Sequence, residues 1–485
     1  MKKVHKIGLL IRLVLIGWFS ISTVFQTQAG PLRPKEIRLV EDHSAILADW
    51  LKEGIQEAVL VHVDAHSDLG VLPPLKARQI KQLARARDIT GLRSGDRPGH
   101  AGLYHCGNFL KAALDLHMFK SIWWVVPFDW FGEQTPDRDM LEHLTAEDWS
   151  AQGLASLKYE AGCFRGTEFG VDFHICNLSS LPSDPGPLVL SFDTDFISAY
   201  AGLNKQSGLS AAGELAQALL QKGYRILDIS IAYSVNGDYT PALKRWLGAA
   251  LQDLLRTNGR PRQQPLWEAL QKADTLAETA SPRDLIAFLD SLPDALRDNS
   301  YCLQYRADAS YLENDIAGAF VNADQACRLD KGCCAILSRI GYGLAIESRA
   351  EEAERFMREI AKRNPEYQDW QADLETALVW SEKGEHAKAI LFLEKISRQY
   401  CSYSAEFLIG GIHLKQNRMK TARARFDRAL AYLQAASFNE IMRPEIAAAV
   451  FQAADFYDRL GLKTKSKAIR ASPRFEKIFN ADERR

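Results

Sequence analysis

Four segments in the last third of the chain, ENDIAGAFVNADQA, ESRAEEAERFMREIA, EKGEHAKAILFLEKI and KQNRMKTARARFDRAL, align on one small residue. That residue is Ala319, Ala353, Ala389 and Ala422, at steps of 34, 36 and 33 positions. A near-constant step of this length constrains a chain strongly, because each unit must be one supersecondary element that cannot bury its apolar face alone. Stacked antiparallel helix pairs meet the requirement, with the alanine where the two helices cross. Gly384 and Asn417 fall where the turn between the helices belongs, and Gly341 and Gly410 at the close approach within the first helix. Pro365 follows a second helix, and a further pair after Pro444 is expected to cap the array.

The first half of the chain reads differently. Between about residues 36 and 250, short apolar runs alternate with amphipathic stretches. EAVLVHVD (57–64), SIWWVVPFDW (121–130), GPLVLSFDTD (186–195) and YRILDISIAYS (224–234) predict buried strands. SAILADWLKEGI (44–55) and AAGELAQALLQKGY (211–224) predict helices between them. Such alternation predicts an α/β domain with a mainly parallel sheet. Residues 251–299, which carry Pro261, Pro265, Pro282 and Pro293, read as a helical connector. The expected layout is therefore an α/β domain over 30–250, the connector over 251–299 and an all-α repeat array over 300–485.

Residues 1–29 predict a cleavable signal peptide: Lys2, Lys3, Lys6 and Arg12 precede a largely apolar stretch from Leu13 to Phe25, and Thr27-Gln28-Ala29 offers small residues at a cleavage site. The apolar stretch is short against the ~20 residues that a spanning helix needs. The expectation is an exported protein, periplasmic or secreted, with no stable membrane span after cleavage. Its 8 cysteines fit an oxidising compartment. Cys163 and Cys176 are one expected pair, and further pairs are expected among Cys302, Cys327, Cys333, Cys334 and Cys401. The adjacent Cys333 and Cys334 are expected to bond to separate partners, since a bond between neighbours strains the backbone. A formal net charge of -1 argues against a nucleic-acid binder, which needs a basic field. The local basic stretch from Lys76 to Arg97 reads as a solvated helix face, with a lid over the site as the alternative.

Chemistry-bearing residues gather at the ends of two predicted strands. VHVDAHSD places Asp64, His66 and Asp68 directly after one, and LVLSFDTDF places Asp193 and Asp195 at the end of another. In an open parallel sheet, ligands bind outside the carboxyl ends of the strands. Four carboxylates collected there would repel, and some would have to protonate unless a divalent cation sat between them. Aspartate and histidine without thiolate favour Mn, Zn or Fe. A third piece, VEDHSAIL, sets His43 just before an amphipathic helix.

EDHS, DAHSD and SFDTD resemble, in that order, the three metal-binding motifs of the arginase and deacetylase (ureohydrolase) superfamily. SIWWVVPFDW and IAYSVNGDYTP are similar to its divergent branch, which includes the peptide arginases. The 34-residue helical period resembles tetratricopeptide repeats. Together these resemblances imply an arginase-like three-layer domain followed by a tetratricopeptide-repeat solenoid. The first resemblance implies two divalent metal ions, Mn first, with Zn or Fe as alternatives. It assigns one ion to His43 and Asp68, the other to His66 and Asp195, with Asp64 and Asp193 bridging. Asp68 and Asp195 would help shuttle a proton to the leaving amine. HAGLYHCGNFL resembles the family's Gly-Asn-x-His segment through Gly107 and Asn108, and implies a catalytic role for His105, with His100 a weaker candidate.

Two departures point away from free arginine as substrate. Ser198 stands where arginases carry a further aspartate, and Ile231 where a glutamate grips the guanidinium, with Asp228 or Asp238 as substitutes. The expected function is thus hydrolysis of a non-peptide C–N bond, with arginine inside a peptide or protein as the target. The repeats would dock that substrate or a protein partner. A mononuclear zinc deacylase, needing only Asp64, His66 and one of Asp193 and Asp195, is the alternative within this fold. A noncatalytic repeat scaffold is the alternative outside enzymology.

Overall fold

The computed structural model describes residues 36–97, 102–128, 130–131, 135–146, 149–181, 186–235, 239–347, 349–364, 377, 380–381, 383–400, 402–433, 444–472 and 475. The expected signal peptide, His100, Asp238, Pro365 and Cys401 lie outside these residues.

Eight strands form one sheet: β1 (Ile37–Val40), β2 (Ala58–Val63), β3 (Phe119–Val125), β4 (Lys158–Glu160), β5 (Cys163–Glu168), β6 (Val171–Cys176), β7 (Leu188–Asp193) and β8 (Ile226–Ala232). Their order is β1-β8-β7-β2-β3-β6-β5-β4. The six strands from β1 to β6 in that order are parallel neighbours, and the β6-β5-β4 edge is antiparallel. β2, β3, β7 and β8 are the four strands expected from their apolar runs.

Strand alternation sorts side chains into two cores. Val59, Val61, Val63, Leu190, Phe192, Ile229 and Ile231 pack on one face against helices Thr194–Leu203, Gly208–Lys222 and Trp246–Arg256. Leu60, Ile122, Trp124, Phe173 and Val189 pack on the other against helices Ile46–Glu53 and Phe109–Asp115. Helices thus cover both faces, as a mostly parallel sheet requires. Within 251–299, helices Gln264–Thr279 and Pro282–Asp290 pack into the first core through Leu266, Trp267, Leu285 and Leu289.

Past residue 299 the described residues form helices only. Ser300–Leu312 pairs with Ile316–Leu329, Ala335–Ile346 with Ala350–Arg363, Tyr403–Lys415 with Met419–Leu433, and Pro444–Arg459 with Lys463–Arg470; His386–Tyr400 also belongs to this region. Ala319, Ala353, Ala389 and Ala422 have no exposed surface, as expected of residues at helix crossings. Five positions before three of these alanines stand Asn314, Gly384 and Asn417, each with positive φ, which turns the chain between paired helices. These are tetratricopeptide-like helical hairpins. No helix among the described residues is long and apolar enough to cross a membrane.

Disulfides join Cys163 to Cys176 and Cys327 to Cys334. The first pair lies directly opposite in the β5–β6 ladder. Cys334 thus pairs with Cys327 and not with its neighbour Cys333, which remains a buried free thiol, as does Cys302.

Candidate metal centre

The chain runs from β2 outward to β3 on one side, while β7 leads to β8 on the other, so the direction of winding reverses between β2 and β7. A crevice opens at such a reversal, outside the carboxyl ends of the strands. β2 ends at Val63 and delivers Asp64, His66 and Asp68; β7 ends at Asp193 and delivers Asp195; β1 ends at Val40, three residues before His43. The six sequence-predicted ligands therefore meet at one place.

Asp64 is held by its backbone from both sides. Its N–H donates to the Val125 carbonyl over 3.1 Å, and its carbonyl accepts from Trp124 Nε1 over 3.1 Å. Its carboxylate faces two ways. Oδ2 lies 3.0 Å from His43 Nδ1, and Oδ1 lies 3.8 Å from His66 Nδ1. Asp68 Oδ2 is 3.4 Å from His43 Nδ1. His66 Nδ1 is 2.7 Å from Asp195 Oδ2.

Two groups of ligand atoms result, each close enough to enclose one ion: His43, His62, Asp64 and Asp68, all buried, and Asp64, His66 and Asp195, where His66 is half exposed. Asp64 belongs to both. Asp193 lies beside the first group, with Oδ2 3.5 Å from His43 Nδ1. Its oxygens also accept from Ser234 Oγ over 2.5 Å and from the Asp195 N–H over 3.1 Å.

The donor set fits a cation. His43 Nδ1, both ring nitrogens of His62, and Asp64 Oδ2 are buried without a hydrogen-bond partner. Such atoms are costly unless something else satisfies them. Burial, and then the charges of Asp195, Asp68 and Asp193, push the Asp64 carboxyl well above its usual range. Burial and the Asp195 charge push Asp193 up to about 7. Burial works against a charged His43, but Asp64 and Asp68 outweigh it and raise its pKa. Burial likewise opposes charge on His66, yet its bond to Asp195 carries it up to about 10. A divalent ion set among carboxylates so crowded would relieve their mutual repulsion.

His43 is oriented by Ser191, whose Oγ lies 3.0 Å from Nε2 and leaves Nδ1 turned toward the carboxylates. Partners of this kind set ligand tautomer and direction. Sequence reasoning missed Ser191, Ser234 and the Trp124 indole. It also missed His62, two residues before Asp64 and so on the same face of β2; that spacing was the available signal.

His105 stands apart from both groups. Its Nδ1 accepts the Gly107 N–H over 3.2 Å, and its Nε2 lies 3.1 Å from Asn108 Nδ2. The turn it caps is tied to the loop after Asp68: the Gly70 N–H donates to the Gly107 carbonyl, and Asn108 Nδ2 donates to the Val71 carbonyl. Asp228 is corrected as a substrate-gripping residue. It sits near the opposite end of β8, accepts from Trp50 Nε1 over 3.0 Å and pairs with Arg38 over 2.5 Å. Ile231 is core, and Ser198 caps back toward the Thr194 carbonyl. The basic stretch forms helices Pro74–Ala86 and Ile89–Gly95, with Arg78, Arg85, Arg87 and Arg93 exposed.

No protein-family profile matches the chain, and no curated protein matches it. Among solved structures it is similar to a human IFIT1 dimer with PPP-AAAA, at 14% identity and a TM-score of 0.25, over 59% of this chain and 66% of that one. A monomeric IFIT1 mutant with Gppp-AAAA matches at 15% identity and 0.26, and another with m7Gppp-AAAA at 14% and 0.27, each over 59% of this chain and 69% of the other. With TM-scores this low, the likeness carries no argument about ligand or activity.

Proposed function

We propose that the chain is an exported hydrolase that uses two divalent cations, Mn first and Zn or Fe as alternatives, to cleave a non-peptide C–N bond. The target is a guanidino group on a peptide or protein, so that arginine becomes ornithine with release of urea. Asp64 carries this reading, because its two oxygens face two separate groups of ligand atoms. The motif resemblance of EDHS, DAHSD and SFDTD to the arginases supplies the reaction class. Two disulfides support an oxidising compartment, and the helical hairpins support docking of a large substrate or a partner.

Two bound cations supply the Lewis acidity that makes hydroxide available near neutral pH. His43, Asp64 and Asp68 would hold the inner one, and Asp64, His66 and Asp195 the outer, with Asp193 beside the inner group. Ser191 fixes the His43 ring and Ser234 fixes Asp193, so the ligands are set before substrate arrives. Asp68 and Asp195 would help shuttle a proton to the leaving amine. His66, half exposed and edge-on to the Tyr239 ring, would border the approach of the guanidinium. His105 is a positioning residue, holding the loop that follows Asp68.

The test is metal content per chain for protein purified without chelator, beside Asp193→Ala, with Mn resupplied to both. About two ions per wild-type chain, loss in the variant, and urea released from arginine-containing peptides in preference to free arginine are the expected results. One observation favours a second reading: Asp64, His66 and Asp195 alone form a three-ligand set with an open side, which suits a single catalytic zinc. One zinc per chain with amide deacylation would establish it. No specific metal even after resupply would sink both and leave the helical repeats as the working part.

A further inference from the structure

Resting on the two-metal reading above, we infer that His62 is a metal ligand, so that the inner position has two imidazoles and two carboxylates, and that the two positions therefore load different metals. His62 lies in the interior of β2, fully buried on the face it shares with Leu60, where the pattern of the strand calls for an apolar side chain. Neither of its ring nitrogens has a hydrogen-bond partner. Its Nε2 points into the carboxylates, 3.4 Å from Asp64 Oδ2 and 3.9 Å from Asp68 Oδ2. His43 Nδ1 approaches the same two oxygens at 3.0 and 3.4 Å.

These separations have a simple meaning. Ligands about 2.0–2.2 Å from one tetrahedral ion stand about 3.3–3.6 Å apart. The four edges between imidazole nitrogen and carboxylate oxygen bracket that value. An ion pair with Asp64 or Asp68 is the competing account of His62, but at 3.4 and 3.9 Å its contacts are longer than a hydrogen bond between these atoms, and neither ring nitrogen makes one.

The outer position differs in kind. It takes one imidazole, from a half-exposed His66, with Asp64 and Asp195, and with three protein ligands would complete its coordination with water. A closed set of two nitrogens and two oxygens suits Zn2+, whereas an oxygen-rich, hydrated set suits Mn2+. The inner ion is then the tightly held one, and the outer ion exchanges.

The experiment uses the full mature chain, stripped of metal and reloaded with Zn2+ and Mn2+ together. Wild-type protein should keep one Zn2+ per chain through dialysis that removes Mn2+, and X-ray absorption at the zinc edge should count two imidazoles. His62→Leu and the more polar His62→Asn, their folding checked by circular dichroism, should bind the inner ion at least tenfold more weakly. A zinc site with one imidazole, or variants that hold the inner ion at wild-type affinity, would overturn the role of His62 while leaving two metals in place. Identical metals at both positions would overturn the inequality. A wild-type chain that takes fewer than two ions would remove the two-metal reading, and this inference with it.

Discussion

Asp68 and Ser234 both adopt positive φ, 53° and 47°, a region that L side chains enter at a cost of ~1–2 kcal/mol. Both sit at the centre, one as a candidate ligand and the other as the hydroxyl that bonds Asp193. Strain of this kind persists where the surroundings over-determine it. The candidate ligands at strand ends were legible because carboxylates and imidazoles are conspicuous after an apolar run. Ser191 and Ser234 were not, since a serine carries no signal until the strands that place it are paired. His62 was read as part of the apolar run that encloses it. Behind the centre, His143 stacks on Trp124, and His174 stacks on Trp123. Burial pushes both down to about 4, with the Arg165 charge adding to the effect on His174. Between about pH 6.5 and 4 the unfolded chain thus binds protons that the folded chain refuses, and stability falls as pH falls. A His143→Phe/His174→Phe variant should lose less of its urea midpoint than wild type between pH 7 and pH 4.5, both metal-free.

At the scale of elements, buried strands declared themselves and edge strands did not. β2, β3, β7 and β8 are nearly continuous apolar runs, as strands covered on both faces must be. β1 has only four residues, one of them Arg38, and β4 to β6 alternate polar with apolar side chains at the antiparallel edge. The helical hairpins were legible through their period and their glycines, which invite a direct test. A Cβ on Gly410 would stand 2.8 Å from the Phe426 ring, inside a fully buried contact. A Cβ on Gly341 would meet Met357 Sδ and Phe356 Cβ, both at 3.3 Å, where the flexible methionine can give way. Gly410→Ala should therefore cost ~1–3 kcal/mol, measured by urea unfolding, and Gly341→Ala clearly less.

At the scale of the whole molecule, the largest core ignores the change from mixed to helical structure. It runs from Ile37 through the sheet to Leu266, Trp267, Tyr305 and Cys333. Polar links reinforce it: Trp246 Nε1 donates to Tyr305 Oη over 3.1 Å, and Tyr305 Oη donates to Asp274 over 3.0 Å. Farther along, residues between Ala377 and Ile412 and others between Tyr403 and Phe475 form clusters of their own. Hydrogen exchange should consequently show the sheet and the helices up to about residue 330 opening as one unit, with helices from His386 onward opening at lower cost. A boundary of protection near residue 300 instead would mean that the shared core does not couple them.

Pairing of β1 with β8 joins Ile37 to Ile229 and Val40 to Ala232, partners that lie nearly the whole length of the sheet-forming segment apart. Contacts so distant in sequence form late, because the intervening loop must close first. His43 follows β1, and Ser234, which bonds Asp193, follows β8, so neither side of the centre is complete until that last seam zips. The first ligand leaves the ribosome early and waits for nearly two hundred residues before it has a site to join. Any metal the centre takes would then enter the finished fold rather than the growing chain. Were the chain to cross a membrane unfolded, as the proposed export implies, that metal would be drawn from the compartment of arrival.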